Sequence, residues 1–239
     1  MTRLERLGII LSKLVPSGML VPVLRGPLRG ARWIAGSAVG PAKGLSVVLN
    51  LTEPEQLEMA RKLAPSVGIC WDIGANVGLY TLLFSRYSKH VFAFEPLPRN
   101  IRHLARTLEV NGVTNATIVP CAVSDSVGLS AFQEGANYAE GRVDSKGRQP
   151  VAVISGDTFS STYGVVPSLI KIDVEGGELS VLKGANKLLL NHKPTILLST
   201  HGESRRVDCF AFLRNVGYGQ FMPLNRDEIH LASEFSVMS

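Results

Sequence analysis

The sequence lacks any run of about 18 consecutive apolar residues, the length that a membrane-crossing helix needs. The nearest approach, residues 7–24, is broken by Ser12, Lys13, Pro16, Ser17 and Pro22, and it has no clean signal-peptide cleavage pattern. Cysteine is scarce. Cys70, Cys121 and Cys209 are odd in number and show neither C-x-x-C nor Cys/His zinc spacing, which argues against a structural zinc and for free thiols in a reducing, cytoplasmic setting. Cys70 and Cys121 lie in apolar runs and read as small core residues. Phosphate-binding signatures are missing as well. The absence of G-x-x-x-x-G-K-[ST] sets aside P-loop chemistry, and the absence of G-x-G-x-x-G weighs against a dinucleotide-dependent dehydrogenase. No internal repeat is visible.

Charged residues are few, 19% against 45% hydrophobic, a balance typical of a packed domain. The net charge of +5 is unevenly placed: residues 1–45 carry +6, leaving −1 for the rest. A basic arm suits an acidic partner, a membrane surface or RNA, and equally a solvated leader. Leu4, Leu7, Ile10, Leu11 and Leu14 fall at helical spacing, so residues 4–15 are expected as a helix that lies at an interface or packs on the main domain. The division expected is a basic arm and connecting segment over 1–45 and one domain over 46–239, with an insertion at about 127–154.

Within that domain the elements alternate. A short strand is predicted at 47–51, then a helix from a Thr52 cap to about residue 63, with Glu55 and Pro54 in its first turn. Strands are predicted at 69–73, 90–94, 116–123, 169–174 and 195–199. Helices are predicted at 77–87, 99–110, 178–190 and 203–216. Two β-leaning stretches, 129–133 and 151–154, make the insertion hairpin-like, and 220–222 with 228–231 form a closing antiparallel pair about Asn225-Arg226-Asp227. Such alternation means a mostly parallel sheet covered on both faces, with ligands bound at the carboxyl ends of its strands. Gly74, Glu95, Asp173 and His201 all follow strands.

The first strand ends in Asp72-Ile73-Gly74-Ala75-Asn76-Val77-Gly78, a glycine turn that brings backbone close to a ligand. Glu95, at the next strand end, has the position of a carboxylate that receives a ribose diol. The cofactor expected is therefore a nucleoside. Asp72 beside the turn would repel a pyrophosphate but attract the ammonium and sulfonium of S-adenosylmethionine. The bland alternative is a glycine turn that only packs a helix against a strand.

The stretch 71–96 resembles the first motifs of class I methyltransferases. Phe94-Glu95-Pro96, Asn111-Gly112-Val113, Ala122-Val123-Ser124-Asp125, Ile170-Lys171-Ile172-Asp173-Val174-Glu175-Gly176 and Leu182-Lys183-Gly184-Ala185 extend the likeness, over about residues 52–218, to the FkbM family. The resemblance implies an α/β, Rossmann-like class I fold: a seven-stranded, mostly parallel sheet with a reversed last strand and helices on both faces. It implies methylation of a hydroxyl on a sugar, glycolipid or polyketide. By the same resemblance Gly74, Ala75, Asn76 and Gly78 line the methionine part, Glu95 takes the ribose, Pro96 also belongs to the cofactor site, and Cys121-Ala122 lies against the adenine. The family often has an acid two residues before the His after strand five. Here Ser199 stands there, which puts a Glu–His pair at that strand end in doubt.

An alcohol is a weak nucleophile, so a general base helps, typically by about 10²- to 10⁴-fold. Asp173, Glu175 and His201 are the candidates, with neutral His201 preferred as base and Asp173 as the group that orients cofactor or acceptor. Each has a plainer reading: a surface-loop histidine, a turn aspartate, a helix-capping glutamate. Lys171 reads as structural or as an outer contact. An Asp–Glu–His group can bind a divalent metal, but nothing in the spacing demands one, and no metal is expected. Competing readings are an RNA methyltransferase, disfavoured by the −1 body, and a non-catalytic nucleotide-binding module. Nucleic acid is not the expected partner; a small-molecule or glycan hydroxyl is, with a peripheral membrane or acidic contact through the arm.

Overall fold

The structure, a computed structural model, describes residues 15–37, 44–64, 68–134, 141–143, 147–224 and 234–238. The helix expected over 4–15, the turn at Asn225-Arg226-Asp227 and the strand expected over 228–231 lie outside the described residues, apart from residue 15.

The elements, in order, are β1 (Leu20–Pro22), β2 (Arg32–Ile34), a 3-10 turn (Val47–Leu49), α1 (Pro54–Leu63), β3 (Ile69–Ile73), α2 (Leu79–Ser85), β4 (His90–Phe94), α3 (Pro98–Val110), β5 (Ala116–Val119), β6 (Ala122–Val123), β7 (Gly128–Glu134), β8 (Gly141–Val143), β9 (Gln149–Ile154), α4 (Gly156–Tyr163), β10 (Leu169–Ile172), α5 (Glu178–Gly184), α6 (Asn186–His192), β11 (Thr195–Ser199), α7 (Glu203–Asn215), β12 (Gln220–Pro223) and β13 (Glu234–Met238).

Seven strands form the main sheet in the order β12-β13-β11-β10-β3-β4-β5. The pairs β10–β11, β10–β3, β3–β4 and β4–β5 are parallel, while β13 runs antiparallel to both β11 and β12. This is the reversed last strand that the family resemblance implies. Alternate residues of each strand feed two cores, as the two-residue period requires. Trp71, Ile73, Ile170, Ile172, Ile196, Leu198, Phe235 and Val237 pack on the side of α4, α5, α6 and α7. Cys70, Leu169 and Leu197 pack on the side of α1 and α2. Asp72 and Lys171 share that second face and are paired in register across β3 and β10.

The arm belongs to this second core. β1 and β2 form an antiparallel pair, and Val23, Leu28, Ala31, Trp33 and Ala35 are buried with α1 and α2. Asn111 fastens the pair to the end of α3: its Oδ1 accepts from the Arg32 amide at 2.8 Å, and its Nδ2 donates to the Arg32 carbonyl at 2.9 Å. Residues 26–45, expected as a connecting segment, thus contain a strand.

Other expectations are corrected by local chemistry. Residues 47–51 are no strand but a 3-10 turn ended by Asn50 in the left-handed region (φ 56°). Thr52 does not cap α1; its hydroxyl donates to Ser46 Oγ at 2.7 Å, and Glu53 occupies the cap position. The strand predicted over 116–123 breaks at Pro120, which has no amide hydrogen for the ladder. Its second part, β6, joins another sheet of order β6-β9-β7-β8, built largely from the insertion. The helix predicted over 178–190 is two helices. Asp157, in α4, accepts from the amides of Lys187 (3.0 Å) and Leu188 (2.8 Å), so a carboxylate caps a new helix N-terminus there. α4 itself, capped by Ser155 accepting from the Thr158 amide at 3.1 Å, was not anticipated.

Candidate active site

The carboxyl ends of β3, β4 and β10 open into a cavity of about 530 Å³. Asp72, Gly74, Ala75, Asn76, Glu95, Pro96, Ala122, Asp173 and Glu175 line it, as sequence reasoning expected of a common site. Trp33, Ser46, Val47, Thr52 and Glu53 wall it on the arm side, and Phe132 of the insertion walls it beside Leu97 and Ala122.

Gly74 shows why the turn needs glycine. Its φ is +83°, and a Cβ there would stand 1.9 Å from the Asp173 carbonyl oxygen. The loop after β3 is therefore pressed against the loop after β10, which sets the cofactor turn beside the acid-rich segment. Gly78 plays a different part. It lies outside the cavity lining, at φ +95°, and a Cβ would meet Leu104 Cδ1 at 2.6 Å, so it lets α3 dock on α2. Cys121 is also outside the lining; its side chain belongs to the core with Trp71 and Phe94.

Asp72 is fully buried. Its Oδ2 accepts from the Thr81 hydroxyl at 2.6 Å, while Oδ1 has no hydrogen-bond partner. Burial pushes its carboxyl above the usual range, against the pull of Lys171 and Thr81. Glu95 is 4% exposed and held by three donors: the Asn76 amide (2.8 Å) on Oε2, and the Leu97 amide (3.0 Å) and Asn100 Nδ2 (3.2 Å) on Oε1. Burial raises this carboxyl too, against those three bonds. A carboxylate offers about four lone-pair sites, so Glu95 keeps one for a ligand hydroxyl.

Beyond β10 the chain turns sharply, with Glu175 at φ +50° and Gly176 at φ +98°. A non-glycine residue in this region costs roughly 1–2 kcal/mol, and the turn aims Glu175 back toward His201. His201 Nε2 lies 3.3 Å from Glu175 Oε2 and 3.8 Å from Asp173 Oδ1. Asp173 and Glu175 line the cavity, and His201 stands behind them, outside its lining. The other oxygen of Asp173 accepts from Lys171 Nζ at 3.0 Å. Burial works to raise the Asp173 carboxyl, but the Lys171 ammonium outweighs it and holds it below the usual range.

Glu178 was missed by sequence reasoning. It is fully buried in the first turn of α5, and its Oε1 accepts from the Gly176 amide at 2.8 Å and lies 2.6 Å from His201 Nδ1. The acid absent at Ser199 is thus supplied from the neighbouring helix. The Glu178 bond, with Glu175 and Asp173 behind it, raises the His201 pKa above its ordinary value. The sequence carries no signal for it beyond the absence of an acid at Ser199, which left a Glu–His pair there in doubt.

Lys171 was also undervalued. It is 5% exposed, lines the cavity, and places Nζ 4.4 Å from the centre of the Tyr80 ring. Tyr80 in turn donates to Glu53 Oε2 at 2.6 Å, tying α2 to the start of α1.

The sequence profile of the methyltransferase FkbM domain matches residues 72–218. The chain belongs to the FkbM methyltransferases. It is thus an S-adenosylmethionine-dependent methyltransferase. Hexuronic acid methyltransferase AglP of Haloferax volcanii is 29% identical over 182 residues, 74% of each chain. Methyltransferase 1 of Beauveria bassiana is 27% identical over 140 residues, 47% of this chain and 56% of the relative. A crystal structure of an FkbM methyltransferase from Methylobacillus flagellatus superposes with a TM-score of 0.55 at 20% identity, covering 72% of this methyltransferase and 44% of that longer chain. A precorrin-6y C5,15-methyltransferase from Geobacter metallireducens shares the fold, with a TM-score of 0.50 at 14% identity over 79% of this chain and 89% of that one.

Proposed function

We propose that this methyltransferase methylates a hydroxyl of a sugar, glycolipid or polyketide-type acceptor, and that a sugar is the first class to test. The observation that carries the reading is one cavity with two kinds of wall: the glycine turn and Glu95 on one side, Asp173 and Glu175, backed by His201, on the other. The name of the Haloferax volcanii relative, a hexuronic acid methyltransferase, favours a carbohydrate.

The chain's residues suit the cofactor. S-adenosylmethionine, when bound, supplies an electrophilic methyl group on a sulfonium. Asp72, with one buried oxygen lacking a donor, suits its ammonium, with Gly74, Ala75 and Asn76 presenting backbone. Glu95 suits the ribose, and Pro96, Leu97 and Ala122 suit the adenine. Gly78 acts through packing, and Cys121 backs the adenine wall from the core. Asp173 and Glu175 hold the acceptor hydroxyl in line, and Glu175 passes its proton to His201 Nε2 behind the cavity wall, with Nδ1 fixed by Glu178.

Calorimetric titration with S-adenosylhomocysteine and NAD side by side, then a methyl-acceptor screen over glycans and hydroxylated metabolites, tests the reading. Expected are binding of S-adenosylhomocysteine alone and turnover with a glycan. Asp173→Ala and His201→Ala should each lower kcat at least tenfold; full turnover in both would remove the roles assigned to them.

A further inference from the structure

The proposed reading leaves an electrostatic problem at the cluster. Three acceptor groups face one another: Asp173 Oδ1, Glu175 Oε2 and His201 Nε2, one atom from each lying within 4.8 Å of the others. In a neutral His201 that donates its Nδ1 proton to Glu178, the Nε2 lone pair points at two carboxylates. Three ligand atoms so placed can share one cation.

We infer that the cluster is a divalent-cation site, with Asp173, Glu175 and His201 as ligands and Glu178 as the group that orients the histidine. Purpose alone rests on the proposed function; the site rests on geometry. Ligands about 2.1 Å from one ion in adjacent positions stand about 3 Å apart, close to the 3.3 Å between His201 Nε2 and Glu175 Oε2. Asp173 gives Oδ2 to Lys171 and keeps Oδ1 for the ion. Glu178 is fully buried and reaches the cluster through the 2.6 Å bond to Nδ1, the carboxylate–histidine arrangement that fixes the tautomer of a metal-bound imidazole. Its Oε2 is buried with no hydrogen-bond partner. Six carboxylates and a single ammonium, Lys171, line the cavity among the described residues, so the field there favours a second cation beside the sulfonium.

Two oxygens, one nitrogen and no sulfur select a hard ion, Mg²⁺ or Mn²⁺, over soft metals. The three ligand side chains are 29–33% exposed, which leaves coordination positions for water and an acceptor hydroxyl. A hydroxyl bound there gives up its proton to solvent more readily. The ion then replaces the imidazole as the group that activates the acceptor.

The test uses Mn²⁺ as probe and the full chain with S-adenosylhomocysteine bound, following the paramagnetic resonance signal of free hydrated Mn²⁺ and, by pulsed measurement, imidazole nitrogen coupling on bound Mn²⁺. One ion per chain with nitrogen coupling is expected. Asp173→Asn and His201→Asn should each weaken binding at least tenfold. Glu178→Gln should weaken it by about 10- to 100-fold, with S-adenosylhomocysteine affinity unchanged as the control for folding. Three results would overturn the inference: no Mn²⁺ bound at about 1 mM, an affinity far weaker than most protein sites; bound Mn²⁺ without nitrogen coupling; or binding indifferent to all three substitutions. A chain that binds S-adenosylhomocysteine and methylates glycans but takes no Mn²⁺ loses only this inference. One that binds Mn²⁺ with nitrogen coupling yet methylates no acceptor keeps it and loses the proposed function.

Discussion

Single residues of the site differ in how far their places were visible in the chain's order. The Asp72–Gly78 turn and Glu95 were legible because each lies directly after a strand, where the fold has only one place for it. Glu178 was not. Three carboxylates occur within residues 173–178, and only the docking of α5 on α7 decides that the third is buried against His201. Two predictions belong at this scale. On the proposed reading Asp72→Asn removes an acidic group from the methionine end and should weaken S-adenosylhomocysteine binding about tenfold by calorimetry, since a charge-assisted hydrogen bond is worth about 1.5–3 kcal/mol. Burial also raises the thiols, Cys70 and Cys209 to about 12 and Cys121 to about 11. A raised thiol pKa means little thiolate at pH 8, so the folded chain should react with a disulfide reagent at none of its three cysteines, and the denatured chain at all three. Fast reaction of one thiol in the native protein would contradict that burial.

At the scale of elements, the strands were legible and the connections less so. β3, β4 and β11 match their expected bounds because each is a short apolar run closed by a clear stop. Residues 47–51 misled because a short apolar run has the same composition in a strand and in a helical turn. Likewise α5 and α6 form one periodic stretch in sequence, and the break between them comes from a distant residue, Asp157. Gly184, at the end of α5, carries a further consequence. Replacing a helix glycine with alanine ordinarily stabilises by roughly 0.5–1 kcal/mol. Here the added Cβ would stand 2.0 Å from the Ser124 carbonyl oxygen, backbone that cannot yield easily. Gly184→Ala is therefore expected to destabilise, by about 1–3 kcal/mol in denaturant unfolding. A stabilised variant would show that α5 and β6 are not in such close contact.

On the scale of the whole molecule, the basic arm changes meaning. Composition suggested a leader and connecting segment, because its glycines and prolines hide the β1–β2 pair. Yet Trp33 is 1% exposed, packs with α1 and α2, and lines the cavity. Trp33→Ala should cost about 3–5 kcal/mol of stability, and the amides of residues 20–34 that bond within the β1–β2 pair should exchange as slowly as those of α2. Fast exchange there would mark the arm as a loosely attached flap. Among the described residues no helix is long and apolar enough to cross a membrane. The fold class itself was legible because strand–helix alternation leaves few topologies open.

The placement of β13 between β11 and β12 bears on how the molecule is made. During synthesis β12 leaves the ribosome before β13, the strand that links it to the rest of the sheet. Until then the edge of β11, with Ile196 and Leu198 on one face and Leu197 on the other, has no partner, and β12 has nowhere to dock. A nascent chain halted after β12 should therefore expose a sticky sheet edge, be drawn to chaperones, and be released from them once residues 234–238 emerge.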